Sequence, residues 1–350
     1  MNRYFDGISS FINDLTILDT HEHLLFSSSW EIRRPIDAVA YIIHYCLRDF
    51  LSAGLSFTDC ERLRYSRELT VSEKFRLLKP YWHACKFSGF AQILNISVRD
   101  LYGIEEIGTC TIESLEQAYQ QIFTHPRFKE VLRKKSKIHR ALLDTAQAFQ
   151  ADRDYFLPVY RIDWLILLQS RKHLVLLEQE SGRTIVCFDD YLDACQLVLD
   201  KKRSAGTGVF KCALAYQRSL FFSESSYTQA KKSFQSFFQR VQNIPLEENV
   251  PPLGEEFQNY MIHFILDNMN LHGMVLQIHT GIQEGSGNIL YHSNPILLNS
   301  LFMKYPQVSF DLFHIGYPYQ HELGALCKMF PNVYLNTVSY THLDVYKRQP

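Results

Sequence analysis

Leu15-Thr16-Ile17-Leu18-Asp19-Thr20-His21-Glu22-His23 joins a short apolar run directly to two histidines that are spaced by one residue. Side chains alternate between the two faces of a β-strand, so an extended conformation directs His21 and His23 the same way. Two imidazoles on one face can bind the same metal ion. Two ordinary histidines at a strand end are the alternative for this segment alone, because the chain contains 14 histidines.

Six further apolar runs along the chain also end in polar or charged residues. Most of the seven runs are followed by a segment in which apolar residues recur with helical spacing, for example 186–199 and 257–269. Strands that alternate with helices favour a parallel sheet with crossover helices. The seven candidate strands are 15–19, 138–144, 156–163, 208–214, 274–279, 308–314 and 333–336.

The long stretch 24–136, between the first two candidate strands, carries helical patterns such as 36–52 and 71–87 and no strand pattern. Without these 113 residues, 237 of the 350 remain, which is close to the roughly 250 residues of a typical (β/α)8 barrel. The sequence therefore predicts an α/β fold: a (β/α)8 TIM barrel over 1–336 with a helical insertion (24–136) after strand 1, truncated before strand 8.

The last residues of the chain depart from this pattern. The string from Val338 to Gln349 continues no periodicity and resembles the translated sequencing-adaptor tail found at the ends of metagenomic gene fragments. We therefore expect 337–350 to be a non-native tail, with an ordinary C-terminal segment as the alternative. If the tail is foreign, the native chain continues through at least one more strand and helix.

Net charge, the length of the apolar runs and the cysteine pattern indicate which kinds of molecule the protein binds and where it is located. With 36 basic and 37 acidic residues the formal net charge is -1, so no strong field attracts nucleic acid or an anionic membrane. The apolar runs are too short to span a membrane. Eight cysteines form no Cys-x-x-Cys pair, and no signal-type N-terminus precedes the first strand. These features predict a cytoplasmic protein with free thiols and a small-molecule substrate, and they leave a homo-oligomer open.

Two further histidines close predicted strands. His279 follows the run 274–278 and His314 follows 308–313, and a glycine comes two residues after each histidine. The carboxyl ends of barrel strands form the active face, because the strand-to-helix loops gather there. One strand-end histidine is typical of a packed core residue, but three strand ends with histidine favour a site. A zinc-class ion takes neutral imidazoles and carboxylates and leaves a position for water.

The histidines at the first, fifth and sixth strands resemble the amidohydrolase superfamily of metal-dependent barrels in motif order and strand position. The resemblance implies that His21, His23 and His279 bind one divalent metal ion, with Zn2+ as the expected ion. It implies that His314 is a second-metal ligand or a group that polarises the substrate. It also implies an Asp at the end of an eighth strand, a role that we do not give to Asp344 because it lies in the expected tail.

Charged and aromatic residues near other strand ends extend the predicted site. By the same resemblance, Lys211 is either carboxylated to bridge two metal ions or, with Arg218, binds a substrate carboxylate beside a single ion; a snorkelling or ion-paired lysine is the alternative. Arg161 and Asp163 either face the substrate or form a structural ion pair. Tyr317 would supply an aromatic wall for the substrate, with simple packing as the alternative.

The sequence thus predicts a metal-dependent hydrolase in which a metal-activated water attacks a small substrate. If Lys211 and Arg218 bind the substrate, it carries a carboxylate. His314 and Lys211 are the predicted catalytic residues. Short matches at 80–83, 101–104 and 277–281, together with the insertion, resemble uronate isomerase and make an isomerase or decarboxylase on the same barrel the alternative. A barrel that binds a ligand without catalysis is the alternative from another class.

Overall fold

The computed structural model describes residues 3–23, 35–122, 129–145, 148–283 and 288–337. The chain divides into two compact units, the first within 1–156 and the second within 157–338. The expected tail, 337–350, lies outside the described residues except for Thr337.

The first unit contains one helix and one strand before the predicted insertion, and one strand after it. The described part of the insertion contains helices and no strand, as its periodicity predicts. The elements are α1 (Arg3–Asp14), β1 (Ile17–Glu22), α2 (Ala38–Ser52), α3 (Phe57–Tyr65), α4 (Val71–Cys85), α5 (Gly89–Tyr102), α6 (Ile112–Ile122), a π-helical turn (Lys129–Lys135) and β2 (Ile138–Leu143).

Side chains fix where the insertion helices begin. Thr70 caps α4 by accepting from the amide of Glu73, whose carboxylate in turn accepts from the Thr70 amide at 2.8 Å. Asp37 caps α2 at the Ala40 amide and also accepts from Lys74 Nζ at 2.6 Å. The Lys74 side chain is fully buried, so this ion pair ties the start of α2 to α4 inside the hydrophobic core of the insertion.

The second unit carries the remaining strands, which alternate with helices. The strands are β3 (Phe156–Arg161), β4 (Val209–Cys212), β5 (Val275–Ile278), β6 (Ser309–Leu312) and β7 (Val333–Leu335). The helices are α7 (Asp163–Ile166), α8 (Arg171–Ser181), α9 (Phe188–Ser204), α10 (Tyr227–Val241), α11 (Glu255–His272), α12 (Asn299–Lys304) and α13 (Gln320–Met329).

All observed strand pairs are parallel and follow chain order. β1 pairs with β2 in the first unit, and β3 to β7 pair in succession in the second. The predicted fold class is confirmed: seven parallel strands alternate with helices, as in a TIM barrel, with a helical insertion after the first strand. No eighth strand occurs among the described residues.

The register of the second sheet separates an apolar row from a polar one. Phe210, Leu276 and Phe310 lie side by side on β4, β5 and β6, and all three are fully buried. The next position on each strand carries Lys211, Gln277 or Asp311. Successive side chains point to opposite faces of a sheet, so the polar row occupies the face opposite the phenylalanines.

The structure also bears on the predicted state of the cysteines and on membrane-spanning segments. All eight cysteines are free thiols, and the exposed one is Cys110. Within the described residues, no helix combines the length and apolarity needed to cross a membrane. The cytoplasmic location and the homo-oligomer stay predictions.

Candidate active site

The first unit brings a potential metal-binding group together at the ends of β1 and β2. One ligand atom from each of His21, His23 and Asp144 lies within 4.8 Å of the other two. Asp144 follows β2 directly, and its amide donates to the Glu22 carbonyl at 2.8 Å. The strand pairing therefore places an aspartate beside the His-x-His segment.

A hydrogen bond fixes which nitrogen of His23 is available to a ligand. Nδ1 of His23 lies 2.8 Å from the backbone carbonyl oxygen of Asp144. A carbonyl oxygen only accepts, so Nδ1 carries the hydrogen, and Nε2 of the neutral ring keeps its lone pair. That Nε2 lies 2.9 Å from Nε2 of His21, and the two rings are nearly perpendicular. The lone pair of His23 is thus directed at the second imidazole.

This donor set fits a divalent ion. Zinc-class ions bind imidazole nitrogens at about 2.0–2.1 Å, so two nitrogens on one ion can be no more than about 4.1 Å apart, and the observed separation is 2.9 Å. Asp144 adds a carboxylate, one oxygen of which lies within 4.8 Å of a ring nitrogen of each histidine. His21, His23 and Asp144 can therefore hold a metal ion.

Two buried carboxylates stabilise the backbone of the His-x-His segment. Oδ1 of Asp19 accepts from the His21 amide at 3.0 Å, and Oε1 of Glu22 accepts from the His23 amide at 2.7 Å. Asp19 and Glu22 are both buried. Hydrogen bonds from backbone amides to carboxylates are strong, so Asp19 and Glu22 stabilise the backbone conformation at the two histidines.

The second unit contains a separate histidine pair. Nε2 of His314 lies 3.2 Å from Nδ1 of His279, and His279 is almost fully buried between Tyr216 and Phe313, whose ring centroids are 5.4 and 5.3 Å away. In such a pair one ring donates and the other accepts, so a proton can pass between them. That His279 joins His21 and His23 at one ion stays a prediction, because His279 belongs to the other unit.

The backbone after β6 is strained where it presents His314. His314 and Ile315 have φ values of 64° and 56°, in the left-handed region that residues other than glycine seldom adopt and β-branched residues such as isoleucine adopt least. The Ile315 amide donates to the Asn336 carbonyl at 3.0 Å, which helps to hold the turn. Such strain costs about 1–3 kcal/mol per residue and clusters at functional sites.

Gly281, two residues after His279, locks this turn to the loop after β5. Its φ is +63°, and a Cβ built on it would lie 2.2 Å from the Tyr317 carbonyl oxygen. The Ile282 amide donates to that same oxygen at 2.7 Å, and the Gly281 amide donates to the Ser293 carbonyl at 2.8 Å. Only glycine fits this close approach between the two strand-end loops.

The polar row formed by Lys211, Gln277 and Asp311 precedes the histidine pair along the chain. Gln277 lies two residues before His279, and Asp311 lies three residues before His314. Oδ2 of Asp311 accepts from Gln277 Nε2 at 3.1 Å and from Asn336 Nδ2 at 2.8 Å. Burial raises the pKa of Asp311, while the hydrogen bonds from Asn336 and Gln277 and the charge of Lys211 act in the opposite direction. Lys211 is fully buried.

The remaining predicted residues have different surroundings. Arg161 is exposed at the end of β3, and Tyr317 is 57% exposed. Oδ1 of Asp163 accepts from the Ala213 amide at 2.6 Å and so holds the end of β4. The substrate contacts of Arg161 and Tyr317 stay predictions.

Arg218 is bound on all three of its nitrogens by other parts of the chain. It donates from Nη1 to Gln258 at 2.8 Å and from Nη2 to Asn259 at 3.0 Å, and it donates from Nε and Nη2 to two carbonyl oxygens of its own loop, at Ser219 and Phe221. The side chain is buried. Arg218 therefore anchors this loop on α11, and its contact with a substrate carboxylate stays a prediction.

Sequence reasoning missed Asp144, Asp311 and Asn336. Asp144 ends the predicted strand 138–144, so the strand-end criterion that selected the histidines would also have selected it. Asn336 likewise ends the predicted strand 333–336, whereas Asp311 carries no such signal. Asp311 lies inside a strand, and its role depends on which residues the neighbouring strands place beside it.

The fold is similar to that of several solved structures, although no family model matches the chain. Glucuronate isomerase from Caulobacter crescentus is 17% identical with a TM-score of 0.71, over 99% of this chain and 78% of that one. Uronate isomerase from Thermotoga maritima is 14% identical with a TM-score of 0.70, over 96% and 78%. A Lactobacillus casei protein described as a metal-dependent hydrolase is 14% identical with a TM-score of 0.61, over 97% and 77%.

At these low identities, the TM-scores of 0.61 to 0.71 establish a shared fold alone. One sequence match is closer but short: 61 residues, 17% of this chain, are 49% identical to Protein fluG of Emericella nidulans. The match spans only 7% of that protein.

Proposed function

We propose that this chain is a metal-dependent enzyme that hydrolyses a small molecule, with one divalent ion, zinc, held by His21, His23 and Asp144. The observation that carries the proposal is the 2.9 Å approach of two imidazole Nε2 atoms beside a carboxylate. The likeness in fold to a protein described as a metal-dependent hydrolase supports it. When bound, the ion would supply Lewis acidity that polarises a carbonyl and makes a water acidic.

The residues of the chain have separable tasks in this proposal. The Asp144 carbonyl orients the His23 ring and fixes its tautomer, a task that metal sites commonly give to a hydrogen-bond partner of the ligand. Asp19 and Glu22 hold the backbone that carries both histidines.

His314 and Lys211 are the proposed catalytic residues of the second unit. His314 would accept and return a proton, with His279 at 3.2 Å as its exchange partner. Lys211 would bind an anionic group of the substrate, because its side chain is the buried basic group at the carboxyl end of β4. Proton transfer by a positioned imidazole is worth about 10²–10⁴-fold in rate.

Turnover on a panel of small amides, esters and lactones tests the reaction. Hydrolysis that chelation abolishes, zinc restores and H21A removes would support the proposal. H139A is the matched control, since His139 is exposed on β2 in the same unit. Hydrolysis that survives chelation, or that H21A and H139A lower equally, would contradict it.

A second candidate, uronate isomerisation, has its own supporting observation. Two uronate isomerase structures match this chain with TM-scores of 0.71 and 0.70, above the 0.61 of the hydrolase-like protein. Isomerisation moves a proton between adjacent carbons of a sugar acid, a step suited to the His279 and His314 pair. Formation of a ketose from glucuronate would establish it. A chain that binds zinc yet turns over neither class would support the non-catalytic binder.

A further inference from the structure

Four polar side chains form a continuous row on one face of the second unit's sheet. The register aligns Lys211 of β4 with Gln277 of β5, and Gln277 with Asp311 of β6. Asn336, just beyond β7, completes the row through its bonds to Asp311. Lys211 and Gln277 are 0% and 1% exposed. The charge of Lys211 is therefore cut off from water and needs an opposite charge nearby. Asp311 is partly buried within β6.

Asp311 is bonded as an ionised carboxylate. Its Oδ2 accepts from Gln277 Nε2 and Asn336 Nδ2, and its Oδ1 accepts from Asn336 Nδ2 at 3.0 Å. N–H donors on both oxygens suit the anion, because a protonated carboxyl would have to donate from one of them. The two amides bring no charge, so the positive charge in the row is that of Lys211.

The position of the lysine nitrogen favours the same pairing. Nζ of Lys211 lies 5.0 Å from the ring centroid of Phe313, two residues beyond Asp311 in sequence. The ammonium nitrogen therefore lies near a side chain of the segment that directly follows β6, the strand that carries Asp311. The face of an aromatic ring attracts an ammonium group and disfavours an anion.

We propose that Asp311, held by Gln277 and Asn336, is the fixed counter-ion of Lys211 and keeps this lysine as an ammonium group, so that Lys211 is not carboxylated into a bridge between metal ions. The sequence leaves both states of Lys211 open. The inference rests on the proposed function and deepens it, because an uncarboxylated lysine goes with a site for one ion.

The competing state has a defined chemistry. The ammonium group first releases one proton to solvent. The lone pair of the neutral amine then forms an N–C bond to carbon dioxide as one C=O π bond opens onto oxygen, and a second proton leaves to solvent, so the cation becomes an anion. That anion would be near the Phe313 ring and would exchange the attraction between Lys211 and Asp311 for a repulsion, which only bound metal ions could offset. Neighbouring like charges disfavour each other's ionisation, and the row therefore favours the ammonium form.

Carbon-13 NMR of the metal-loaded full chain in ¹³C-bicarbonate measures this state directly. We expect the spectra of wild type and K211M to contain the same carbamate signals, with the N-terminal amine as the internal reference. A carbamate resonance in wild type that K211M removes would overturn the proposal. Metal content is measured on the same samples, so failure of the metal site and failure of the lysine assignment give different results.

Thermal unfolding tests the pairing without any assay of activity. K211M and D311N each remove one charge of the proposed pair, whereas the double variant removes both. We expect each single variant to lower the Tm by more than the double variant does. Lys172 and Glu247, an exposed pair at 2.6 Å, supply the control set K172M and E247Q, which should show almost no coupling. Additive losses for K211M and D311N would contradict the pairing; if D311N does not fold, the NMR comparison still decides.

Discussion

Replacement of Gly281 by alanine tests how the two strand-end loops of the second unit are held. The new Cβ would lie 2.2 Å from the Tyr317 carbonyl oxygen and 2.4 Å from the Gly316 carbonyl carbon. Ordinary contact needs about 3.5 Å, so the turn after β6 has to move by roughly 1.3 Å. Both obstructing groups are backbone, and a rotamer change therefore cannot relieve the clash.

The expected loss of stability has two parts. An alanine at φ +63° costs about 1–2 kcal/mol. Displacement of the turn breaks the hydrogen bond from the Ile282 amide to the Tyr317 carbonyl, with about 1 kcal/mol lost for the bond and about 1–3 kcal/mol for any group left buried and unbonded. The total is roughly 3–6 kcal/mol, equivalent to a Tm about 6–24 °C lower at the 2–4 °C per kcal/mol of larger domains.

Calorimetric unfolding of G281A measures this loss, and G103A is the matched control. Gly103 has a similar φ of +70° at the end of α5, with no atom within 4 Å of its built Cβ. G103A should therefore show only the backbone cost of about 1–2 kcal/mol. A G281A variant that loses no more stability than G103A would refute the steric argument. We also expect G281A to weaken catalysis, since Gly281 follows His279 by two residues.

Three further substitutions have expected outcomes. R218M should lower the free energy of unfolding by roughly 2–5 kcal/mol, because it leaves two buried side-chain amides of α11 without their donor. The KM for the substrate should stay unchanged. A raised KM at normal stability would instead favour the predicted contact between Arg218 and the substrate. K74M should lower the free energy of unfolding by roughly 3–5 kcal/mol in a denaturant titration, because the Asp37 carboxylate loses its ion-pair partner. A loss under 1 kcal/mol would contradict this. Hydrogen bonds from Thr70 hold the pKa of Glu73 below its ordinary value. The ionised Glu73 therefore stabilises the folded chain above the pKa that Glu73 has when unfolded, and this stabilisation is lost as the pH falls through the lower pKa of the folded chain. E73Q should lower the Tm at pH 7 but not in strong acid, and a difference in Tm that does not depend on pH would contradict the cap.

The strands of this fold are predictable because each is an apolar run bounded by polar residues. The exception is the end of β1, which the pattern places at residue 19 and the structure at Glu22. The difference arises because pairing with β2 continues past the apolar residues, where the Asp144 amide donates to the Glu22 carbonyl. Backbone pairing is invisible to a hydropathy pattern, and so the strand extends through polar Thr20 and His21.

The candidate site was predictable only where one strand suffices to define it. His21 and His23 share a strand, and their proximity follows from the spacing alone. The environment of Lys211 depends on Gln277 and Asp311, which come from two other strands separated from it by long connections. The sequence does not give that register, which is why the charge state of the lysine stayed open until the strands were aligned.

The central claim is that His21, His23 and Asp144 hold one divalent ion. Zinc titration of the chelator-stripped full chain, followed by calorimetry and by elemental analysis of the dialysed protein, tests this most directly. We expect about one zinc per chain for wild type and H139A, and a large loss of affinity for H23A and D144N. H279A in the same series tests the predicted third ligand. Binding that is absent in wild type, or that H23A and D144N leave unchanged, would contradict the metal centre.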